Sequence, residues 1–331
     1  MDPELTELHC TLLVAWSDRA SDRLTLATRL GCYPDTGHDE GSGMRWLVAG
    51  ATGMLGTDLV ARLRGDGRDV VAAGHAELDI TDPVAVAARV RDVDVVVNCA
   101  AWTAVDDAET HEGAAFRLNA TAPQLLARAA HAAGARLVQV STDYVFDGAA
   151  TAPYAEDAPL APVSAYGRTK AAGEWAVRAE TDDYLVVRTA WLYGAHGACF
   201  PRTMARLAAE RPQLQVVADQ VGQPTWTADL ADLLVRLVDA GAPSGTYHGT
   251  ASGQVSWHGF ARAVVAAAGK DPAMVAETTS AAFVRPAPRP AYSVLGHDAL
   301  VAAGVAPIGD WAARWAAAAD DVLALAGRTR G

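Results

Sequence analysis

Thr142, Tyr166 and Lys170 supply a hydroxyl, a phenol and an ammonium within one short stretch. These are the groups needed to bind, protonate and polarise a carbonyl that takes up a hydride. Tyr166 and Lys170 are four residues apart, so a helix would place both on one face. That spacing lets the ammonium sit near the phenol and lower its pKa from about 10 toward working pH. Tyr-x-x-x-Lys also occurs on solvated helices, so its meaning depends on the elements that hold it.

Those elements are legible. Val138 to Val140 alternates as a strand does, which puts Ser141 and Thr142 at the strand's end. In an open parallel sheet, ligands bind outside the carboxyl ends of the strands. Pro159 and Pro162 keep the following loop from becoming helix, and Ser164 is an N-cap for the helix carrying Tyr166 and Lys170.

Upstream, a strand from Trp46 to Ala49 runs into Gly50-Ala-Thr-Gly53-Met-Leu-Gly56, with a helix predicted from about Thr57 to Arg64. Gly50 permits the tight turn, Gly53 lets a pyrophosphate approach the backbone, and Gly56 lets helix and strand pack closely. Met54 and Leu55 complete this candidate phosphate loop, whose helix end offers free N–H groups. The alternative is a Gly-rich turn with no ligand.

The second strand, Val70 to Ala73, ends at Gly74-His75 without the Asp or Glu that binds the ribose 2′-hydroxyl in NAD enzymes. His75 tolerates a 2′-phosphate better than a carboxylate would, which favours NADPH, with NADH as an alternative donor. An exposed loop histidine is the other reading of His75. Asp79 and Ile80 fall where adenine would lie. The apolar strand from Val93 to Asn98 is followed by Ala100 and Ala101, small enough to let a cofactor pass. Asp106, Asp107 and Glu109 read as a solvated helix start rather than a metal site, because no His is suitably spaced with them. Asn119, in mid-helix, either bonds to the backbone of the neighbouring strand or is exposed. Trp191 follows the buried strand Tyr184 to Arg188, where it either walls a pocket or packs in the core.

The chain has 331 residues, 51% of them hydrophobic, with a net charge of −12. That charge argues against nucleic acid as the main partner. Cys10, Cys32, Cys99 and Cys199 show neither zinc nor disulfide-framework spacing. The start lacks the basic segment of a signal peptide, and no apolar run approaches the roughly 18 residues of a membrane helix. These features predict a cytoplasmic protein with no membrane association; a monomer or homodimer is expected, without any sequence feature that chooses between them. Residues 1–43 are expected to be a flexible extension, 44–190 an NAD(P)-binding core, and 191–331 a mixed segment completing the core and forming a substrate lobe. The predicted fold class is α/β, a Rossmann-type doubly wound parallel sheet with a smaller C-terminal substrate-binding lobe.

Four stretches carry a resemblance: Ser141-Thr-Asp-Tyr-Val-Phe-Asp-Gly148, Ser164-Ala-Tyr-Gly-Arg-Thr-Lys170, Asp219-Gln-Val-Gly-Gln-Pro-Thr-Trp226 and Arg289-Pro-Ala-Tyr-Ser-Val-Leu295. In this order they make the chain resemble the dTDP-4-dehydrorhamnose reductase family of extended short-chain dehydrogenase/reductases, from about Met44 to the C-terminus. The resemblance implies NADPH-dependent reduction of a dTDP-linked 4-keto-deoxysugar, in pathways that also serve antibiotic sugars. Tyr166 would protonate the C4 oxygen, Lys170 would hold the nicotinamide ribose, and Thr142 would bond the developing oxyanion. Thr103, Val105, Asp143 and Tyr144 would join Thr142 at the sugar, with Trp191 and Arg289 completing the substrate site. Sister dehydratases carry Thr-Asp-Glu where this chain has Thr142-Asp143-Tyr144, which disfavours dehydration. The chain departs from the family at Met54 and Cys199, where amide side chains are common. A sugar-nucleotide epimerase and a non-catalytic NADP-binding subunit are the alternatives.

Overall fold

Five runs rich in Val, Leu and Ala, too apolar to face water, set the architecture. The computed structural model describes residues 43–324; the extension predicted over 1–43 lies outside them except for Gly43. Strand β1 (Arg45–Ala49) leads into helix α1 (Met54–Gly65), then β2 (Asp69–Ala73), α2 (Pro83–Val90) and β3 (Val95–Asn98). Short helices α3 (Val105–Ala108) and α4 (Glu112–Phe116) follow. One wide π-helical turn (Arg117–Thr121) then joins α4 to α5 (Ala122–Ala133). Strand β4 (Arg136–Thr142), helix α6 (Ala165–Glu180) and strand β5 (Tyr184–Thr189) close this half.

Next come β6 (Leu192–Tyr193), α7 (Phe200–Glu210), β7 (Leu214–Val217), β8 (Val221–Gly222), β9 (Thr225–Trp226), α8 (Thr227–Asp239) and β10 (Gly245–His248). The chain continues through β11 (Ala251–Ser252), β12 (Val255–Ser256), α9 (Trp257–Ala267), β13 (Val275–Thr278), α10 (Asp298–Ala302), β14 (Ile308–Asp310) and α11 (Trp311–Ala324).

The central sheet has six strands in the order β10-β5-β4-β3-β1-β2, every pair parallel. The expected doubly wound α/β fold is therefore present. β1 has β2 on one side and β3 on the other, so the order reverses at β1, the place where such sheets open a crevice. Both faces are covered. Leu59, Leu63, Leu230 and Leu234 pack on one side and Leu126, Ala130 and Val177 on the other. The remaining strands form two-stranded pairs. Residues of β6, β7, β9, β12 and β13 join a separate apolar cluster built on Phe260, Val264, Trp315 and Val322, while Ala251 of β11 and Ile308 of β14 join the core under the central sheet.

Local rules account for the element boundaries nearest the cavity. Asp82 Oδ1 accepts from Val84 N at 2.9 Å and Ala85 N at 3.3 Å, capping α2 ahead of Pro83. α1 begins at Met54, immediately after Gly53, three residues before the predicted start. Gly56 is thus already helical, and a Cβ there would lie 2.2 Å from the Gly50 carbonyl oxygen. Gly50 has φ +76°, and its Cβ would meet the Ala100 backbone at 2.7 Å.

Candidate active site

The end of β4 and the start of α6 bring the three carbonyl-chemistry groups together. Ser164 caps α6, its Oγ accepting from Gly167 N at 3.1 Å. From that fixed start, Tyr166 and Lys170 point from one face of α6 toward β4. Lys170 Nζ donates to the Val140 carbonyl at 2.7 Å. Thr142 Oγ1 donates to Asp143 Oδ1 at 2.9 Å and accepts from Tyr144 N at 3.3 Å. Tyr166 meets the Tyr144 ring edge-on, with centroids 5.6 Å apart.

Burial sets the protonation of these groups. It pushes the Tyr166 phenol up to about 12, against a smaller opposing pull from the Thr142 hydroxyl. The sequence-based expectation was a phenol lowered by its lysine neighbour; here the ammonium is committed to the Val140 carbonyl and burial of the phenol dominates. Lys170 is pulled down to about 8 by burial, with the Glu174 carboxylate and the Cys99 thiol opposing.

One cavity of about 760 Å³ connects these residues to the glycine turn. Gly50, Gly53, Met54 and Leu55 line one end, with His75 and Ile80 beyond them. Ala100 and Ala101 line the passage, followed by Thr103 and Val105. Thr142, Asp143, Tyr144, Tyr166, Lys170 and Trp191 line the other end. Gly53 N-caps α1 with no side-chain cap, so the first N–H groups of that helix remain for a ligand.

Three predicted residues lie outside the lining. Gly56 is buried behind the turn, against Gly50. Asp79 is engaged locally, its Oδ1 accepting from Thr81 N at 2.9 Å and Thr81 Oγ1 at 2.8 Å. Arg289 pairs with Asp106 at 2.9 Å, and Arg285 reaches the same carboxylate at 2.9 Å. The acidic cluster is therefore more than a solvated helix start. Asp106 ties down the 285–289 segment, and Glu109 Oε1 accepts from Ala165 N at 2.8 Å. No group able to hold a metal ion occurs among the described residues.

Asn119 is buried, and the π-helical turn directs its amide inward. Its Oδ1 accepts from Trp102 N at 2.8 Å, and its Nδ2 donates to Trp102 O at 3.1 Å and Thr169 Oγ1 at 3.0 Å. The amide therefore clamps the loop after β3 and α6, not β4. Trp191 has φ +49°, uncommon for a bulky residue, and stacks on Trp257 with centroids 3.6 Å apart. Trp257 also lines the cavity, and no pattern in the sequence points to it.

Two carboxylates near the end of β4 have opposite surroundings. Asp143 is 3% exposed, and its Oδ2 has no hydrogen-bond partner. Burial pushes it up to about 6, eased by the nearby Ser293 hydroxyl, which falls short of hydrogen-bond geometry, and by Thr142. Glu174 is 1% exposed and fully partnered. Its Oε1 accepts from Ser141 Oγ at 2.6 Å and Arg188 Nε at 2.9 Å. Its Oε2 accepts from Arg188 Nη2 at 2.8 Å and Arg178 Nη2 at 3.1 Å. Burial alone would raise Glu174, but Arg188 and Ser141 hold it below the usual carboxylate range. The sequence reading missed this group; the Lys170-x-x-x-Glu174 spacing, again one helical face, was its available signal.

Comparison with known proteins fits this geometry. Residues 44–324 match the RmlD substrate binding domain family. The chain is 52% identical to a probable dTDP-4,6-dihydroxy-2-methyloxan-3-one 4-ketoreductase of Streptomyces antibioticus, over 85% of this chain and 96% of that protein. It is 49% identical to a dTDP-4-dehydrorhamnose reductase of Streptomyces griseus, over 86% of this chain and 95% of that one. The crystal structure of the Bacillus anthracis dTDP-4-dehydrorhamnose reductase in complex with NADP superposes with a TM-score of 0.80 at 36% identity, covering 83% of this chain and 98% of that chain.

Proposed function

The chain belongs to the RmlD substrate binding domain family, and on that premise we propose that it reduces the 4-keto group of a dTDP-4-keto-6-deoxyhexose with NADPH. The observation carrying this reading is the placement of Thr142, Tyr166 and Lys170 at one end of the cavity that begins at the Gly50–Gly56 turn. The similarity to two named ketoreductases and to a reductase crystallised with NADP supports the substrate class and the cofactor.

The residues fit a dinucleotide. A side chain at Gly56 would collide with the turn, and the uncapped start of α1 leaves donors for a pyrophosphate. Bound NADPH supplies a hydride to the carbonyl carbon. Lys170 holds the nicotinamide ribose. His75, at the adenosine end of the cavity, carries no negative charge to repel a 2′-phosphate. Tyr166, pushed up to about 12, is protonated at neutral pH, the form a proton donor to the C4 oxygen requires. Thr142 turns its hydroxyl from Asp143 to the developing oxyanion. Tyr144 stands where a dehydratase places its Glu, so elimination of water lacks its acid/base group. Trp191 and residues of the 191–324 segment form the wall on the sugar side, the substrate lobe.

The test is NADPH consumption with dTDP-4-keto-6-deoxyglucose, with and without a 3,5-epimerase. Consumption only with the epimerase identifies an L-rhamnose-type substrate, and consumption without it a D-sugar substrate. No consumption in either overturns the reading for this substrate. Tyr166→Phe should lower turnover at least about a hundredfold, the low end of general-acid contributions, with NADPH binding unchanged. Near-normal turnover in that variant removes Tyr166 from the mechanism.

A further inference from the structure

Lys170 can hold a ribose as an ammonium only if its charge survives burial. Its Nζ is fixed on the Val140 carbonyl at 2.7 Å, and the residue is 4% exposed. The titratable and charged groups around it are few. Tyr166 and Glu174 lie one turn to either side on α6, the Cys99 thiol comes from the end of β3, and Arg178 and Arg188 stand behind Glu174. His248 sits beyond Arg188, accepting from Arg188 Nη1 at 3.3 Å. Of these, Glu174 alone brings a negative charge.

The register of the sheet explains why Glu174 is so well held. Ser141 is paired with Arg188, and Arg188 with His248, across β4, β5 and β10. Paired residues on parallel strands point to the same face, so all three side chains face α6. Glu174 arrives on that row one helical turn after Lys170. Its carboxylate therefore joins the helix carrying Tyr166 and Lys170 to the strand whose Val140 carbonyl holds Lys170 and whose last residue is Thr142.

We infer that Glu174 is a positioning residue for the reaction: its buried carboxylate, shared among Ser141, Arg178 and Arg188, keeps Lys170 charged and locks α6 to the end of β4. This rests on the reading of Lys170 as the ribose-holding group given above. A purely structural Glu174–Arg188 pair would stabilise the fold without affecting when Lys170 loses its proton, and the two roles separate by pH.

The measurement is NADPH affinity between neutral and alkaline pH, read by quenching of tryptophan fluorescence, so that it does not depend on turnover. In the unmodified protein, affinity should fall as pH rises past about 8, the value to which burial pulls Lys170 down. Glu174→Gln keeps the shape and removes the charge, and the fall should begin roughly one pH unit lower. Arg178→Met, at a half-buried position, removes a cation that shares the Glu174 carboxylate and should move the fall upward by roughly half a unit. Opposite shifts support the inference. An unmoved fall in a folded Glu174→Gln protein overturns it. If Glu174→Gln does not fold, a fall in Arg178→Met that stays in place or moves down overturns it instead. Lys170→Met separates the two layers. If the pH-dependent fall persists there, the ribose-holding reading fails and takes this inference with it. If it vanishes while Glu174→Gln leaves the fall unmoved, only the role of Glu174 fails.

Discussion

The end of β4 is bordered by two buried polar regions built on opposite terms. Beneath α6, Glu174 meets a guanidinium, a second arginine and a hydroxyl, and no oxygen goes unpaired. At the cavity, Asp143 has one oxygen bonded to Thr142 and the other to nothing. The first region holds a geometry and is compensated on every side. The second lines a cavity with one carboxylate oxygen buried and unpaired. Buried polar atoms without partners are uncommon in folded proteins, and Asp143 Oδ2 is one of five such side-chain atoms among the described residues, the others being on Trp46, Thr189, Tyr193 and Ser293.

The contrast can be broken by substitution. Glu174→Leu leaves Arg188 buried without its counter-charge and should lower unfolding free energy by about 3–5 kcal/mol in urea denaturation. A loss comparable to an exposed ion pair would erase the distinction between the two regions. Asp143→Asn should act in the other direction. Because the folded carboxyl is raised to about 6, its stabilising contribution is complete below its ordinary range near 4 and is lost as pH rises through 6. The Asn variant does not titrate, so it should gain on the parent by up to about 3 kcal/mol at alkaline pH and by nothing near pH ~4. A pH-independent difference would show that Asp143 is not strained by its burial. Arg285→Ala, in a half-exposed pair with Asp106, belongs to neither region and should change stability by less than about 1 kcal/mol.

Much of the sheet was legible because its signals are local. Runs such as Val95–Asn98 are too apolar for anything but a strand covered on both faces, and Asp82-Pro83 announces a helix start by capping chemistry. The glycine turn was placed correctly, while its helix begins three residues earlier than predicted. That happens because Gly53 serves as the N-cap, and the backbone at 54–56 is helical although its packing demands a glycine. The residues around Thr142, Tyr166 and Lys170 were read from spacing, and they lie together at the cavity.

What spacing could not give was what each group touches. Asn119 reaches the loop after β3 because a π-helical turn rotates it inward, a deviation that no propensity encodes. Asp79 and Arg289 have suitable chemistry and nearby locations, yet a threonine two residues away engages one and Asp106 holds the other. Trp257 lines the cavity and is stacked on Trp191, which sits at positive φ, a contact between segments far apart in the chain.

By itself, the amino-acid sequence determined the strands and helices of an α/β doubly wound sheet, a glycine-rich turn between the first strand and helix, Thr142 at a strand end, and Tyr166 and Lys170 on one helical face, since each depends on neighbours within a few residues. The tertiary structure decided how those groups are charged and held. The β4–β5–β10 register lines up Ser141, Arg188 and His248 beneath Glu174, and burial then sets the proton affinities of Tyr166, Lys170 and Asp143. Such energies depend on distances between segments far apart in the chain, and only folding fixes those distances.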